Sequence, residues 1–192
     1  MPEIEIKAKH LLETLRMEPA ILEIPATVFQ YLFRDDTDAP TLHPLLKDHK
    51  PEFPNTKIRP VQPITGSAIE KIDVLVSEIL VQILPFLKYR VGNSEQLRTN
   101  INEINKNLPD EYLIASLDVV NMYPNVPTDQ KALNVVKECI IKHWDNLNMY
   151  GFKADHVIAM LEFIFQNTHI KYGEKHYIQT EGIGTGLHSS GA

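Results

Sequence analysis

Residues 116–127 read SLDVVNMYPNVP, and they continue an apolar run that predicts a β-strand over residues 112–119. Asp118 would stand near the end of this strand, with Tyr123 beyond it in a turn that contains two prolines. Burying a carboxylate among apolar side chains is costly unless it is exposed at an edge or bound to a cation. Two interpretations of Asp118 therefore stay open: a ligand of a divalent cation, or a cap of the turn before Pro124.

A glycine-rich segment, QTEGIGTGLHSSGA, occupies residues 179–192. Glycine at positions 182, 184 and 186 would let the backbone come close to a ligand or to another part of the chain. A helix is predicted to begin near His188, and its free N–H groups could lie near phosphates or beneath a base pair. The alternative is a flexible terminus without a specific role.

Positive charge is concentrated in residues 41–59, although the whole chain has a net charge of −6. The overall charge argues weakly against nucleic acid, whose phosphates attract Lys and Arg. Short strands around 45–47 and 57–61 would place the local cations on a hairpin, where they could meet a polyphosphate. The segment contains four cations, Lys47, Lys50, Lys57 and Arg59, and two acidic residues, Asp48 and Glu52. The alternative interpretation is a solvated loop of mixed charge.

The composition predicts one domain of ordinary globular type, because 43% of the 192 residues are hydrophobic and 23% are charged. The single cysteine, Cys139, excludes an internal disulfide and is expected to be a small buried apolar residue. Every apolar stretch is shorter than the ~18 residues of a membrane span. The N-terminus, MPEIEIKAKH, has no apolar core like that of a signal peptide, so we expect an intracellular protein that does not enter a membrane.

The order of the remaining elements predicts an α+β fold. Residues 1–40 are expected to be a weakly structured lead-in with short helical patterns at 11–17 and 26–33. Ser67 is predicted to cap a helix that runs to about Leu84, Ser94 a helix that runs to Ile104, and Thr128 a third, with a further helix around 157–164. A hairpin is predicted to turn at Gly173 and Glu174. The predicted buried faces are Ile69, Ile72, Leu75, Ile79 and Ile83; Leu133, Val136, Ile140 and Trp144; and Val157, Leu161 and Ile164.

Three blocks in this order resemble the reverse transcriptases of Penelope-like retroelements. LLKDHKPEFPNTKIRPVQPITGS, at 45–67, is similar to the fingers pattern of Lys, His-Lys-Pro and Arg-Pro-[Ile/Val]. SLDVVNMYPNVP is similar to the first palm block, and HYIQTEGIGTGLHSSGA, at 176–192, to the second. The resemblance covers roughly residues 42–192. It implies a right-hand polymerase fold with a fingers-like region at 41–110, a partial palm at 111–192 and no thumb.

The resemblance also implies a role for individual residues. Asp118 would be the first metal-binding aspartate, Val119 would offer its backbone carbonyl to the metal, and Tyr123 would be the steric gate against ribonucleotides. The metal would be Mg²⁺ or Mn²⁺, and the partners would be an RNA or DNA template–primer and a deoxynucleoside triphosphate. Further contacts would come from Lys47, Arg59, Gln179, Thr185 and Gly186 on the nucleotide and from Lys50, Gly182 and Gly184 on the template.

The family's third palm block, a Tyr/Phe-x-Asp-Asp hairpin, has no counterpart in residues 1–192. The only Asp-Asp pair, Asp35-Asp36, precedes the fingers block. We therefore expect this chain alone to be inactive and to self-associate through the open edge of an incomplete palm sheet. The resemblance implies a nuclear location for the full protein.

Two other functions stay open at this stage. One is a noncatalytic nucleic-acid-binding or assembly module derived from a retroelement. The other is an α+β interaction domain in which the motif matches arose by chance; salt-sensitive binding to a primer–template would argue against it.

Overall fold

The computed structural model describes residues 2–18, 24–34, 37–46, 58–106, 109 and 111–191. Within these ranges the chain is α+β, as predicted, with seven α-helices and two small antiparallel sheets. The helices are α1 Pro2–Met17, α2 Ala26–Leu32, α3 Glu70–Val81, α4 Ser94–Asn105, α5 Met122–Asn125, α6 Gln130–Lys142 and α7 Ala154–Gln166. The strands are β1 His43–Leu46, β2 Ile58–Val61, β3 His169–Tyr172 and β4 Lys175–Ile178.

The hydrophobic core lies between α3 and α7, with side chains from α1, α2 and α6 packed around them. Ile72, Val76 and Ile79 of α3 are fully buried, and so are Val157 and Ile164 of α7. The predicted apolar faces of these two helices are confirmed. On the α6 face Leu133 and Ile140 are buried, but Trp144 is 41% exposed because the helix ends at Lys142 before it.

The first forty residues are more structured than the sequence suggested. Helix α1 is sixteen residues long, and Leu12 and Leu15 on its inner face are buried in the core. The end of α1 also reaches α7, where Glu18 lies 2.8 Å from the ring of buried His156. A short apolar pattern was expected to give at most local helices, whereas tertiary packing stabilises the whole of α1.

The two hairpins have the predicted places in the sequence. In the first, β1 pairs with β2 and Arg59 stands opposite Leu45; in the second, β3 pairs with β4 and the chain turns at Gly173 and Glu174. Thr41 adds a parallel bridge to Lys171 on the other edge of β3. The bridge therefore joins the base of the first hairpin to the second.

The predicted strand over residues 112–119 is wrong. These residues have no regular secondary structure and are all exposed, with Leu113 at 98% and Leu117 at 97%. Their sequence favours a strand, but a strand forms only where neighbouring strands accept its backbone hydrogen bonds. No described residue pairs with the backbone of 112–119.

Helix α3 begins and ends inside the predicted limits. Its N-cap is Ile69 and not Ser67, whose hydroxyl is buried without a hydrogen-bond partner among the described residues. At the other end α3 stops at Val81, and Pro85 lies in a 3₁₀ turn that follows at Leu84–Phe86. Helix α4 was expected to be capped by Ser94, and the cap is the preceding Asn93, whose side chain accepts a hydrogen bond from Gln96 N.

Helix α6 offers a test of a corrected N-cap. Asp129 and not Thr128 accepts a hydrogen bond from Ala132 N, at 2.9 Å. We expect Asp129→Ala to lower the free energy of unfolding by about 1 kcal/mol, because an N-cap acceptor is lost. Thr128→Ala is the matched control and should change it by less than about 0.5 kcal/mol. Chemical denaturation measures both, and an equal loss in the two variants would contradict the assignment.

Candidate nucleotide and template site

Three segments that are far apart in sequence meet at one place in the fold. They are the end of β2 with Gln62, the turn at Tyr123 and Pro124, and the glycine-rich segment Gly182–Gly186. Each belongs to a different one of the three blocks identified in the sequence. The contacts between them are mostly made by backbone atoms.

The turn at Tyr123 touches the first glycine of the segment. Ile183 N donates a hydrogen bond to Tyr123 O at 2.9 Å. Gly182 has a φ of +69°, and a Cβ placed on it would stand 2.5 Å from the backbone of Pro124. Only glycine fits this position, because it needs both a left-handed conformation and a close backbone approach. Tyr123 itself is half-buried in α5, and the N-cap of this helix, Asn121, has a φ of 50°.

The other two glycines lie against the end of β2. A Cβ on Gly186 would be 2.0 Å from Gln62 O, and one on Gly184 would be 3.3 Å from Gln62 Oε1. Between them, the Thr185 hydroxyl accepts a hydrogen bond from Gln62 N at 3.2 Å and lies 3.3 Å from Pro60 O. Gly182 and Gly186 therefore allow backbone to pack on backbone within the protein, whereas Gly184 lies against side chains.

The helix predicted near His188 is a short 3₁₀ turn, His188–Gly191, and its first N–H groups are not free. Asp73 of α3 accepts hydrogen bonds from His188 N at 2.6 Å and Ser189 N at 3.3 Å, and a third from Ser189 Oγ. The expectation that this terminus would bind phosphates is wrong for these two donors, because a buried carboxylate already occupies them.

Asp73, a buried carboxylate that holds the start of the 3₁₀ turn, was not identified from the sequence. Its side chain is fully buried, and burial raises the pKa of its carboxyl above the usual range, partly offset by the hydrogen bonds from Ser189 and His188. A signal was present in the sequence. Asp73 lies four residues after Ile69 on the apolar face of α3, where an acidic side chain needs buried partners.

Arg59 stands on the exposed first hairpin, one residue before Pro60. Its guanidinium forms no salt bridge with any described residue. The other cations of this block, Lys47, Lys50 and Lys57, lie outside the described residues. Among the described residues of this block, Arg59 is therefore the cation that is available to a ligand.

Asp118 and Val119 do not belong to a complete metal site among the described residues. Both are exposed in the irregular segment, and the described ranges contain no group of three His, Cys, Asp or Glu side chains that could hold a metal ion. Asp118 can supply one carboxylate, whereas a two-metal centre needs several oxygen ligands in fixed positions. The described residues alone do not fit a magnesium centre.

Gln179 borders a cavity of about 430 Å³ between the start of α6, the end of α7 and β4. Its amide Nε2 donates to Glu181 O at 2.8 Å, and its Oε1 is buried with no partner among the described residues. Asp129 and Glu162 also line the cavity, so a phosphate there would meet negative charge. The lining of this cavity therefore disfavours a triphosphate inside it, and the nucleotide contact of Gln179 stays a prediction.

Among the described residues no helix is long and apolar enough to cross a membrane. Comparisons with protein-family profiles, with curated proteins and with solved structures found no match for this chain.

Proposed function

We propose that this chain forms the fingers and part of the palm of a reverse transcriptase similar to those of Penelope-like retroelements. The observation that supports the proposal is the meeting of Pro60–Gln62, Tyr123-Pro124 and Gly182–Gly186. Chance matches to three motifs would have no reason to come together in space. Their order in the sequence and their contact in the fold both support the proposal.

In this proposal Arg59 binds the triphosphate of the incoming deoxynucleotide. Its guanidinium is permanently charged and offers a fork of donors that suits phosphate oxygens. Tyr123 lies next to the glycine segment, where its ring can limit the space beside a nucleotide sugar. Gly182 and Gly184 lie on the template side. The glycines shape that surface by allowing close backbone packing and leave no side chain to obstruct it.

The proposal includes a divalent cation, because Asp118 matches the metal-binding aspartate of the first palm block. Because the described residues do not complete its site, the reaction would need at least one further carboxylate block. Sequencing of the source transcript downstream of codon 192 for Tyr/Phe-x-Asp-Asp tests that requirement. Such a block would support an RNA-directed DNA polymerase, and its absence would favour the noncatalytic nucleic-acid-binding module.

The role of Arg59 can be tested in the chain itself. We expect Arg59→Ala to weaken binding of a fluorescent deoxynucleoside triphosphate with Mg²⁺ by roughly tenfold, about 1.4 kcal/mol, because a charge-assisted contact is lost. Fluorescence anisotropy at fixed ionic strength measures the affinity. Arg98→Ala is the matched control, since Arg98 is exposed on α4 and the substitution changes the net charge equally.

Arg98→Ala should bind within twofold of the wild type. Equal weakening by the two substitutions would show that only net charge matters and would contradict a site at Arg59. A wild-type chain that binds neither the triphosphate nor a primer–template would overturn the proposed function. Binding of the primer–template without the triphosphate would favour the noncatalytic module.

A further inference from the structure

The first hairpin projects from the body of the protein. All of its described side chains are exposed except that of Val61, which is half-buried. Packing of the hairpin's own side chains therefore does little to orient Arg59. Its direction depends on the two places where its ends join the body.

The first of these places precedes β1. Leu42 N donates to Lys171 O and Lys171 N donates to Pro40 O, both at 2.8 Å. These two bonds attach the incoming chain to the edge of β3 as a short parallel ladder. They use backbone atoms only, so their formation does not depend on particular side chains.

The second place follows β2 and depends on one side chain. The Thr185 hydroxyl has one proton, which it donates to Pro60 O at 3.3 Å, and it accepts the N–H of Gln62 at 3.2 Å. Gln62 is 8% exposed, so its N–H would lack a partner if this hydroxyl were absent. The link lies one residue beyond Arg59 along the chain.

We propose that Thr185 is a positioning residue that fixes the end of β2 and thereby orients Arg59. The resemblance assigned Thr185 to a nucleotide contact, but its only proton and one of its acceptor positions are used within the protein. The inference rests on the proposed function, because it presumes that Arg59 binds a triphosphate. It differs from the role implied by the resemblance, because here the Thr185 hydroxyl binds the protein's own backbone and not the nucleotide.

Thr185→Val and Thr185→Ser test this role, because valine keeps the shape without the hydroxyl and serine keeps the hydroxyl. We expect Thr185→Val to weaken binding of the fluorescent triphosphate with Mg²⁺ about fivefold and to leave primer–template binding within twofold. Thr185→Ser should restore triphosphate binding to within twofold of wild type. Thr180→Val, at a nearby exposed threonine, is the matched control and should bind like wild type.

Amide hydrogen exchange gives a readout that does not depend on any ligand. The Gln62 amide should exchange at least tenfold faster in Thr185→Val than in wild type and should be protected again in Thr185→Ser. Unchanged Gln62 exchange, or triphosphate binding by Thr185→Val at the wild-type affinity, would overturn the positioning role. Failure of the wild type to bind the triphosphate would instead overturn the proposed function, while the exchange result would still report on the link.

Discussion

Gly186→Ala is expected to lower the free energy of unfolding by about 3 kcal/mol, at the upper end of the usual cost of overpacking. The added methyl would stand 2.0 Å from Gln62 O, 2.8 Å from Gln62 C and 3.0 Å from Pro63 Cα. All three neighbours are backbone atoms at the base of the first hairpin, so relief requires the two segments to separate. Differential scanning calorimetry should show a Tm lower by about 6 to 12 °C for a chain of this size.

Gly191→Ala is the matched control for this experiment. A Cβ on Gly191 meets no atom within 4 Å, and its backbone is not in the left-handed region. The free energy of unfolding should therefore change by less than about 0.5 kcal/mol. A wild-type Tm for Gly186→Ala would show that the glycine segment and Gln62 do not touch in solution, and it would contradict the proposed site.

Asp73→Ala is also expected to cost about 3 kcal/mol of unfolding free energy, because it leaves the donors of His188 and Ser189 without their acceptor. Ser189→Ala removes one of the three hydrogen bonds and should cost about 1 kcal/mol. As an exposed acidic control, Asp155→Ala loses a surface ion pair with Lys137 and should cost less than about 1 kcal/mol. Urea unfolding at constant pH would rank the three variants.

The pH dependence of this effect has a definite sign. The pKa of Asp73 is raised in the folded protein, so the folded state binds more protons between the ordinary Asp pKa of about 4 and the folded pKa. The stability that Asp73 contributes therefore falls as pH rises through this window and is constant above it. Wild type should gain stability relative to Asp73→Asn as the pH is lowered toward 4, and the opposite trend would contradict the raised pKa.

Periodic patterns in the sequence were sufficient for much of the fold. The apolar spacing of α3 and α7 and the turn at Gly173 identify their elements, because each pattern reflects burial within a single local segment. The N-caps were predicted less well: Ser94 is replaced by Asn93 and Thr128 by Asp129. Neighbouring polar side chains can accept hydrogen bonds from the same backbone N–H groups, and the sequence does not show which of them forms the bond.

The candidate site shows the limits of sequence reading more clearly. The residue classes of 112–119 predicted a strand, but strand formation depends on partners that the local sequence cannot specify. The close backbone approach predicted from the glycine spacing is present at Gly182 and Gly186, whereas Gly184 lies against side chains. The spacing could not show that the neighbours are Pro124 and Gln62, because such contacts depend on tertiary packing. The motif roles of Asp118, Tyr123 and Arg59 remain predictions.

The bonds of Asp73 and Thr185 impose an order on the folding of a nascent chain. Asp73 and His188 are 115 positions apart in sequence, and Gln62 and Thr185 are 123 apart. During synthesis α3 and the first hairpin leave the ribosome long before residues 185–189 exist. Closing such long loops has an entropic cost that local helices do not have, so these contacts form last. Until then, the nascent chain carries a carboxylate without its hydrogen-bond donors and a hairpin that can be attached only at its first end, through Lys171.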